Sequence, residues 1–454
     1  MEEYDLIVLG AGSGSDVASG IYSRGKQVAI VEPARLGGTC LNRGCIPSKM
    51  LIHHADVVQE IRGSEEFHID SELKEVEFDQ IVEEVNSTVH GKSDKMEKGL
   101  KNSDGPDLYK DEARFVDEKT VELKDSGEKL KAEKIVVSAG SRPFVPPVDG
   151  TDEVDYWVST DALNPGYQPE SIIMIGGGYI SLELAHFYDA MGTEVTILER
   201  GERVLKREDI EVSEKITEIA GERYQVELEV SATGIEEADG EKRVYAEDDE
   251  GNEKEFYADE ILFATGRLPN TDSLEVENAG IETTDRGFIV TDEHMETSVD
   301  GIYALGDIAD NWMFKHSANY EAEIVFKNLV TGNKYKLDYE NMPHAVFTSP
   351  QIAGVGKTEQ ELEEEGTEYS STSFGYDNTG MGQALKEDDG FVKLLTTDEG
   401  EILGCHIIGP EASTLIHEVL VSMRAGSGNI EDLKDTIHIH PALSEVVQRA
   451  CNQL

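Results

Sequence analysis

The sequence predicts an α/β fold: two strand–turn–helix–strand units, followed by a C-terminal α+β region. Three observations predict it. A short apolar strand running into a glycine-rich turn occurs twice, about 166 residues apart. Each turn leads through a helix-compatible run to a second strand that ends in glutamate. From about residue 341 onward, strands and helices continue without such a turn.

Residues 6–9 form the first apolar strand, followed by Gly10-Ala11-Gly12-Ser13-Gly14-Ser15. Residues 16–23 are helix-compatible, and residues 27–31 form a strand ending at Glu32, 22 residues after Gly10. This is the order of a Rossmann-like dinucleotide-binding unit. Its glycines let the backbone approach a pyrophosphate at the helix N-terminus, and an acid ~20 residues on bonds a ribose hydroxyl. Ser15 stands where a third glycine would give close helix–strand packing.

The second unit repeats the pattern. A strand at 171–175 precedes Gly176-Gly177-Gly178-Tyr179-Ile180-Ser181, then a helix at 182–190 and a strand at 194–198 closing on Glu199. One such turn is weak evidence of a nucleotide site. Two turns, each with its acid, imply two dinucleotides, FAD plus NAD or NADP, and hydride transfer between them.

Two strands leave these units through similar turns, Ala139-Gly140-Ser141-Arg142-Pro143 and Ala264-Thr265-Gly266-Arg267-Leu268-Pro269-Asn270. A third closes on Gly306-Asp307. These mark the expected domains: residues 1–150, the first part of an FAD domain; 151–265, an NAD(P) domain; 266–340, the second, central part of the FAD domain; and 341–454, an interface domain. The last has strands at 391–395 and 402–408 and helices near 413–424 and 442–451.

The chain of 454 residues carries 93 acidic against 40 basic residues, a formal charge of -53. The acids are spread along it, in stretches such as 236–255 and 359–365, rather than gathered in a tail. The reading is a solvated surface of a halophilic protein in molar internal salt, where the Debye length falls to ~3 Å. Nucleic acid and anionic membranes are excluded as partners, since both select basic surfaces. A charged N-terminus and the lack of a long apolar run predict a cytoplasmic protein. Structural disulfides are rare there, so the close pair Cys40 and Cys45 is expected to be catalytic or metal-binding. Zinc usually needs four Cys/His ligands, and no second pair stands nearby, so no metal is expected. Cys405, within an apolar strand, reads as core, and Cys451 stands alone near the end.

The run Gly37-Gly38-Thr39-Cys40-Leu41-Asn42-Arg43-Gly44-Cys45-Ile46-Pro47-Ser48-Lys49 resembles the active-site segment of class I flavoprotein disulfide reductases. The likeness extends over both glycine turns, Gly306-Asp307 and His440-Pro441 with Glu445. The resemblance implies a homodimer in which Cys45 faces the flavin and Cys40 attacks a substrate disulfide. Lys49 pairs with Glu183 near the flavin. His440, oriented by Glu445, crosses from the second subunit to move protons, a task suited to imidazole. Gly10, Gly12, Gly14, Glu32, Thr39, Gly140 and Asp307 then serve FAD. Gly176, Gly178, Tyr179, Glu199 and Gly266 serve the nicotinamide nucleotide, with Tyr179 either a movable lid or a core aromatic.

Glu199 suits a free 2′-hydroxyl and hence NADH, whereas Arg200, Arg203 and Lys206 suit a 2′-phosphate. NADPH is the expected donor, with NADH the alternative. Within the family, Ala318-Asn319-Tyr320-Glu321-Ala322 and residues 407–416 look closest to mycothione reductase. Combined with the halophile-like charge, the expected substrate is bis-γ-glutamylcystine, whose four carboxylates Arg43 would attract. The alternatives are an NAD-linked dihydrolipoamide dehydrogenase, a mycothione reductase-like enzyme, and a redox sensor without turnover. A sensor has no need of the proton-moving pair.

Overall fold

The computed structural model describes residues 1–102, 105–238, 240–309, 311–332 and 335–454. Leu6 to Leu9 are apolar without alternation, the pattern of a strand covered on both faces. The strand Glu2–Leu9 lies inside a seven-stranded sheet, parallel to Val28–Val31 on one side and Lys129–Val137 on the other. Ile302–Ala304, far along the chain, also pairs parallel with Lys129–Val137. These strands share one direction, so their carboxyl ends share one edge. Ligands of open parallel sheets bind at that edge. Gly10, Glu32, Ser138 and Leu305, the residues just beyond the four strand ends, all line one cleft there.

The second sheet has five parallel strands in the order Gln225–Leu228, Glu194–Glu199, Ser171–Ile175, Glu260–Phe263, Trp157–Val158. The acidic stretch 236–255 is more than solvated surface. It belongs to an antiparallel meander of Val230–Ala238, Glu241–Asp248 and Glu253–Ala258. With the two-residue period of a strand, its acids face out while Ile235, Val244 and Ala258 pack on Ile173, Ile261 and Phe263. The two exit turns meet: Ser141–Pro143 pairs antiparallel with Arg267–Pro269.

The third sheet is antiparallel, in the order His344–Val346, Ile352–Gly356, Ile402–Ile408, Phe391–Thr396, Ser370–Gly375. The helices Ala412–Ala425 and Glu445–Cys451 pack on it, and Cys405 and Cys451 are fully buried in the shared core.

One large element escapes the sequence reading. The helix Phe78–Asn102 buries Phe78, Val82, Val85 and Val89 at helical spacing. Phe78, Val82 and Val85 share a core with Leu51, Ala55 and Val58 of the helix Cys45–Gly63. This contact backs the helix that carries Cys45. Among the described residues, no helix is long and apolar enough to cross a membrane.

Candidate active site

A cleft of about 790 Å³ opens at the carboxyl edge of the first sheet. Of the residues expected at the site, it gathers Gly10, Gly12, Glu32, Thr39, Cys40, Cys45, Lys49, Gly140, Tyr179, Glu183 and Asp307.

The first glycine turn is closed by the acid that follows it. Glu32 accepts from the backbone N–H of Ala11 at 2.8 Å and of Ala34 at 2.9 Å. Gly10 has φ of 100°, and a side chain there would meet the Ser138 carbonyl oxygen at 2.4 Å. Gly14 does not line the cleft. A Cβ at Gly14 would sit 2.1 Å from Ser138 Oγ, so this glycine provides the close helix–strand packing that Ser15 left open. Gly12 has nothing closer than 4.0 Å to an added Cβ and faces open space. A bare backbone at a helix start, beside a carboxylate with acceptor capacity to spare, fits the pyrophosphate and ribose of FAD. Asp307 accepts from Ser141 Oγ at 2.7 Å and lies 3.6 Å from Arg267 Nε.

The second turn repeats the wiring. Glu199 accepts from the N–H of Gly177 at 2.6 Å and of Gly201 at 2.7 Å. Gly177 is the glycine the sequence reading passed over. A Cβ there would meet the Glu199 carboxylate at 3.0 Å, whereas Gly178 faces open space. Gly176, with φ of 105°, packs against the Ala264 carbonyl. Gly176, Gly178, Glu199, Arg200, Lys206 and Gly266 lie outside the first cleft. Arg203 pairs with Glu202 at 2.9 Å. Arg200 and Lys206 are exposed, and no carboxylate among the described residues lies within ion-pair distance of either. Tyr179 starts the helix Tyr179–Met191 and is 45% exposed at the cleft wall, its hydroxyl unpartnered among the described residues.

Cys40 lies in the helix Gly38–Arg43, and Cys45 opens the helix Cys45–Gly63. Both are free thiols. The hydrogen bond from Cys40 is the chief cause that lowers the Cys45 thiol to about 7; burial opposes it and the Lys49 charge supports it. The same bond, together with burial, raises Cys40. The reduced pair therefore carries its thiolate on Cys45. Lys49 Nζ donates to both Glu183 oxygens, at 2.8 and 2.6 Å. Glu183 is 5% exposed and also accepts from Phe347 N at 3.0 Å, and Lys49 lies 4.6 Å from the Phe347 ring centroid. Phe347 carried no signal in the sequence.

His440 and Glu445 come together but not at the cleft. His440 Nδ1 lies 3.0 Å from each Glu445 oxygen. The His440 hydrogen bond holds the Glu445 carboxyl below its usual range. The His440 side chain is 73% exposed, and Ile437 and Ile439 beside it are 96% and 77% exposed.

These features agree with comparisons to known proteins. A family model described as pyridine nucleotide-disulphide oxidoreductase matches residues 4–322, and the dimerisation domain of that family matches 342–451. The chain is 36% identical to mycothione reductase of Mycobacterium tuberculosis, over 99% of each chain. It is 37% identical to dihydrolipoyl dehydrogenase of Haloferax volcanii, over 98% of this chain and 95% of that one. Among solved structures, the Cu(II) complex of the HOCl-induced flavoprotein disulfide reductase RclA of Escherichia coli superposes with a TM-score of 0.90. It is 26% identical and covers all of both chains.

Proposed function

The chain belongs to the pyridine nucleotide-disulphide oxidoreductase family, and from that premise we propose an NADPH-driven reductase of bis-γ-glutamylcystine. As in the rest of the family, its cofactors are FAD and NAD(P)H, and it acts on disulfides. The C-terminal domain is the family's dimerisation domain, so the working unit is a homodimer. The reductase reading is carried by one observation: Cys40, Cys45, Lys49 and Glu183 share a cleft with the first glycine turn.

FAD bound in that cleft supplies the transfer of an electron pair from NADPH to the Cys40–Cys45 disulfide. The protein's own residues do the rest. Opening the disulfide leaves a thiolate on Cys45, held beside Lys49, and a proton on Cys40. His440 of the partner subunit takes that proton, and the Cys40 sulfur attacks the substrate disulfide. One thiol leaves, protonated by the same imidazole, with a mixed disulfide on Cys40. Cys45 then displaces the second thiol and restores the Cys40–Cys45 bond. One hydride and one proton convert one disulfide into two thiols.

Exposed Arg200 and Lys206, free of carboxylates among the described residues, support NADPH, since a 2′-phosphate rewards clustered cations. Arg43 lines the cleft with no carboxylate in ion-pair range among the described residues, which supports an anionic disulfide. The acidic surface supports work in molar salt, in the cytoplasm of a halophile. Dihydrolipoamide oxidation with NAD is the second reading, favoured by the two backbone N–H hydrogen bonds that hold the Glu199 carboxylate at the end of its strand, where a ribose would lie.

A disulfide panel in molar KCl with both nicotinamides tests the proposal. Bis-γ-glutamylcystine with NADPH is expected to give the highest kcat/KM. A lipoamide–NADH pair about tenfold better would overturn the reading. Arg43→Ala is expected to raise KM for the disulfide.

A further inference from the structure

Lys315 had no place in the sequence reading. It is the first residue of the helix Lys315–Thr331 and lines the cleft together with Cys40. Its ammonium donates to Ser13 Oγ at 2.7 Å, and Ser13 Oγ donates to Asn319 Oδ1 at 3.0 Å. Ser13 immediately precedes the helix Gly14–Tyr22. The lysine is therefore fixed between the starts of two helices rather than left to wave from the surface.

Its charge is not neutralised. No carboxylate among the described residues lies within ion-pair distance, although the chain has 93 acids for 40 basic residues. Lys49, the other lysine of the cleft, is bound by both oxygens of Glu183. A half-buried cation kept free of carboxylates in so acidic a chain is available to an incoming anion. Two anions could reach the cleft: the pyrophosphate of FAD and a carboxylate of the disulfide.

The two lysines weigh differently on the two thiols. The leading positive charge acting on Cys40 is Lys315, ahead of Lys49, whereas on Cys45 it is Lys49. Lys315 thus stands on the side of the interchange thiol. We propose that Lys315, steadied by Ser13, is a specificity-determining residue that binds a carboxylate of the substrate disulfide beside Cys40. This rests on the disulfide-reductase reading above. It selects disulfides with carboxylates near the sulfurs over neutral ones.

The test uses the FAD-loaded dimer with NADPH and two disulfides, acidic bis-γ-glutamylcystine and neutral lipoamide. Lys315→Met is expected to raise KM for the acidic disulfide about tenfold with kcat within about twofold. It should leave kcat/KM for lipoamide and the FAD content unchanged, and Lys315→Arg should recover most of the loss. Equal losses on both disulfides, or an unchanged KM for the acidic one, overturn the proposal. Loss of FAD from Lys315→Met also overturns it, in favour of a pyrophosphate contact. A wild type inert towards both disulfides overturns the bis-γ-glutamylcystine reading on which the proposal rests, an outcome visible before any variant is made.

Discussion

The redox half of the site and its proton half are built in opposite ways. Cys40, Cys45, Lys49 and Glu183 are gathered in one cleft by elements of a single chain; Glu183 beneath them is only 5% exposed, while the Cys45 thiol is open to the cleft. His440 stands in the open, its side chain 73% exposed, on a domain whose family partner is a second copy. The Lys49–Glu183 pair behind the thiol gains most where water is excluded and the effective dielectric is low, as it is around buried Glu183. A proton donor must instead exchange with solvent between turnovers and meet the substrate as it arrives. The two halves can therefore reside on different chains, and the enclosed half keeps its chemistry alone.

The largest expected effect tests that independence. Cys40→Ser should abolish disulfide reduction while NADPH still reduces the flavin. A serine hydroxyl at position 40 can donate the same hydrogen bond to Cys45, so Cys45 keeps a thiolate and a long-wavelength thiolate–flavin band should appear even in the oxidised enzyme, where the wild type holds a disulfide. Turnover measured alongside anaerobic spectra checks it. Residual turnover above background would mean that Cys40 is not the attacking sulfur.

His440→Gln comes next. It should lower turnover by roughly 10²–10⁴-fold, the range of positioned acid–base groups, and leave the thiolate band intact. Mixing this variant with Cys40→Ser tests the division between chains. Each mixed dimer has one site with both an intact cysteine pair and an intact histidine. Random exchange should then restore about a quarter of wild-type activity from two inactive parents. No recovery in verified mixed dimers would place His440 and Cys40 of one site on the same chain.

Some of this was legible in the sequence, for physical reasons. Both glycine turns were, because a positive φ at Gly10 and Gly176 admits few other residues. The pairing of Lys49 with Glu183 spans 134 residues and came only through family resemblance. Local spacing carries no trace of such a contact. That Gly14 makes room for Ser138 was not legible, because a glycine that touches phosphate and one that admits a neighbouring serine look alike in a string. The helix Phe78–Asn102 hid because its apolar stripe is thin among charged residues. Lys315 was invisible as well. Its interest lies in the carboxylates it lacks, and absence of a partner is a property of three dimensions.

Glu445→Gln is a smaller lever on the proton half. Glu445 is held ionised by His440 and also accepts from Ala442 N at 3.3 Å. The amide keeps the hydrogen bond and removes the charge. Turnover should fall about tenfold, well short of the loss in His440→Gln. Equal losses in the two variants would make the carboxylate more than an orienting group.

The smallest effect concerns the enclosed half and carries a sign. With the Cys45 thiol lowered to about 7, the thiolate band should be absent in acid and grow as pH rises through that value. Lys49 favours the thiolate and Glu183 opposes it. Lys49→Met removes the favourable charge and leaves the opposing one without its partner, so both changes push the midpoint upward. The Cys40 hydrogen bond, the larger cause, remains, so the shift should stop short of an ordinary thiol. Lys49→Arg should keep the midpoint near that of the wild type. The band against pH, followed in the two-electron-reduced enzyme, reads this directly. A midpoint indifferent to Lys49→Met would make the neighbouring thiol, rather than the enclosed ion pair, the whole source of the Cys45 thiolate. The contrast between an electrostatically tuned interior and an open proton relay would then fail on its interior side.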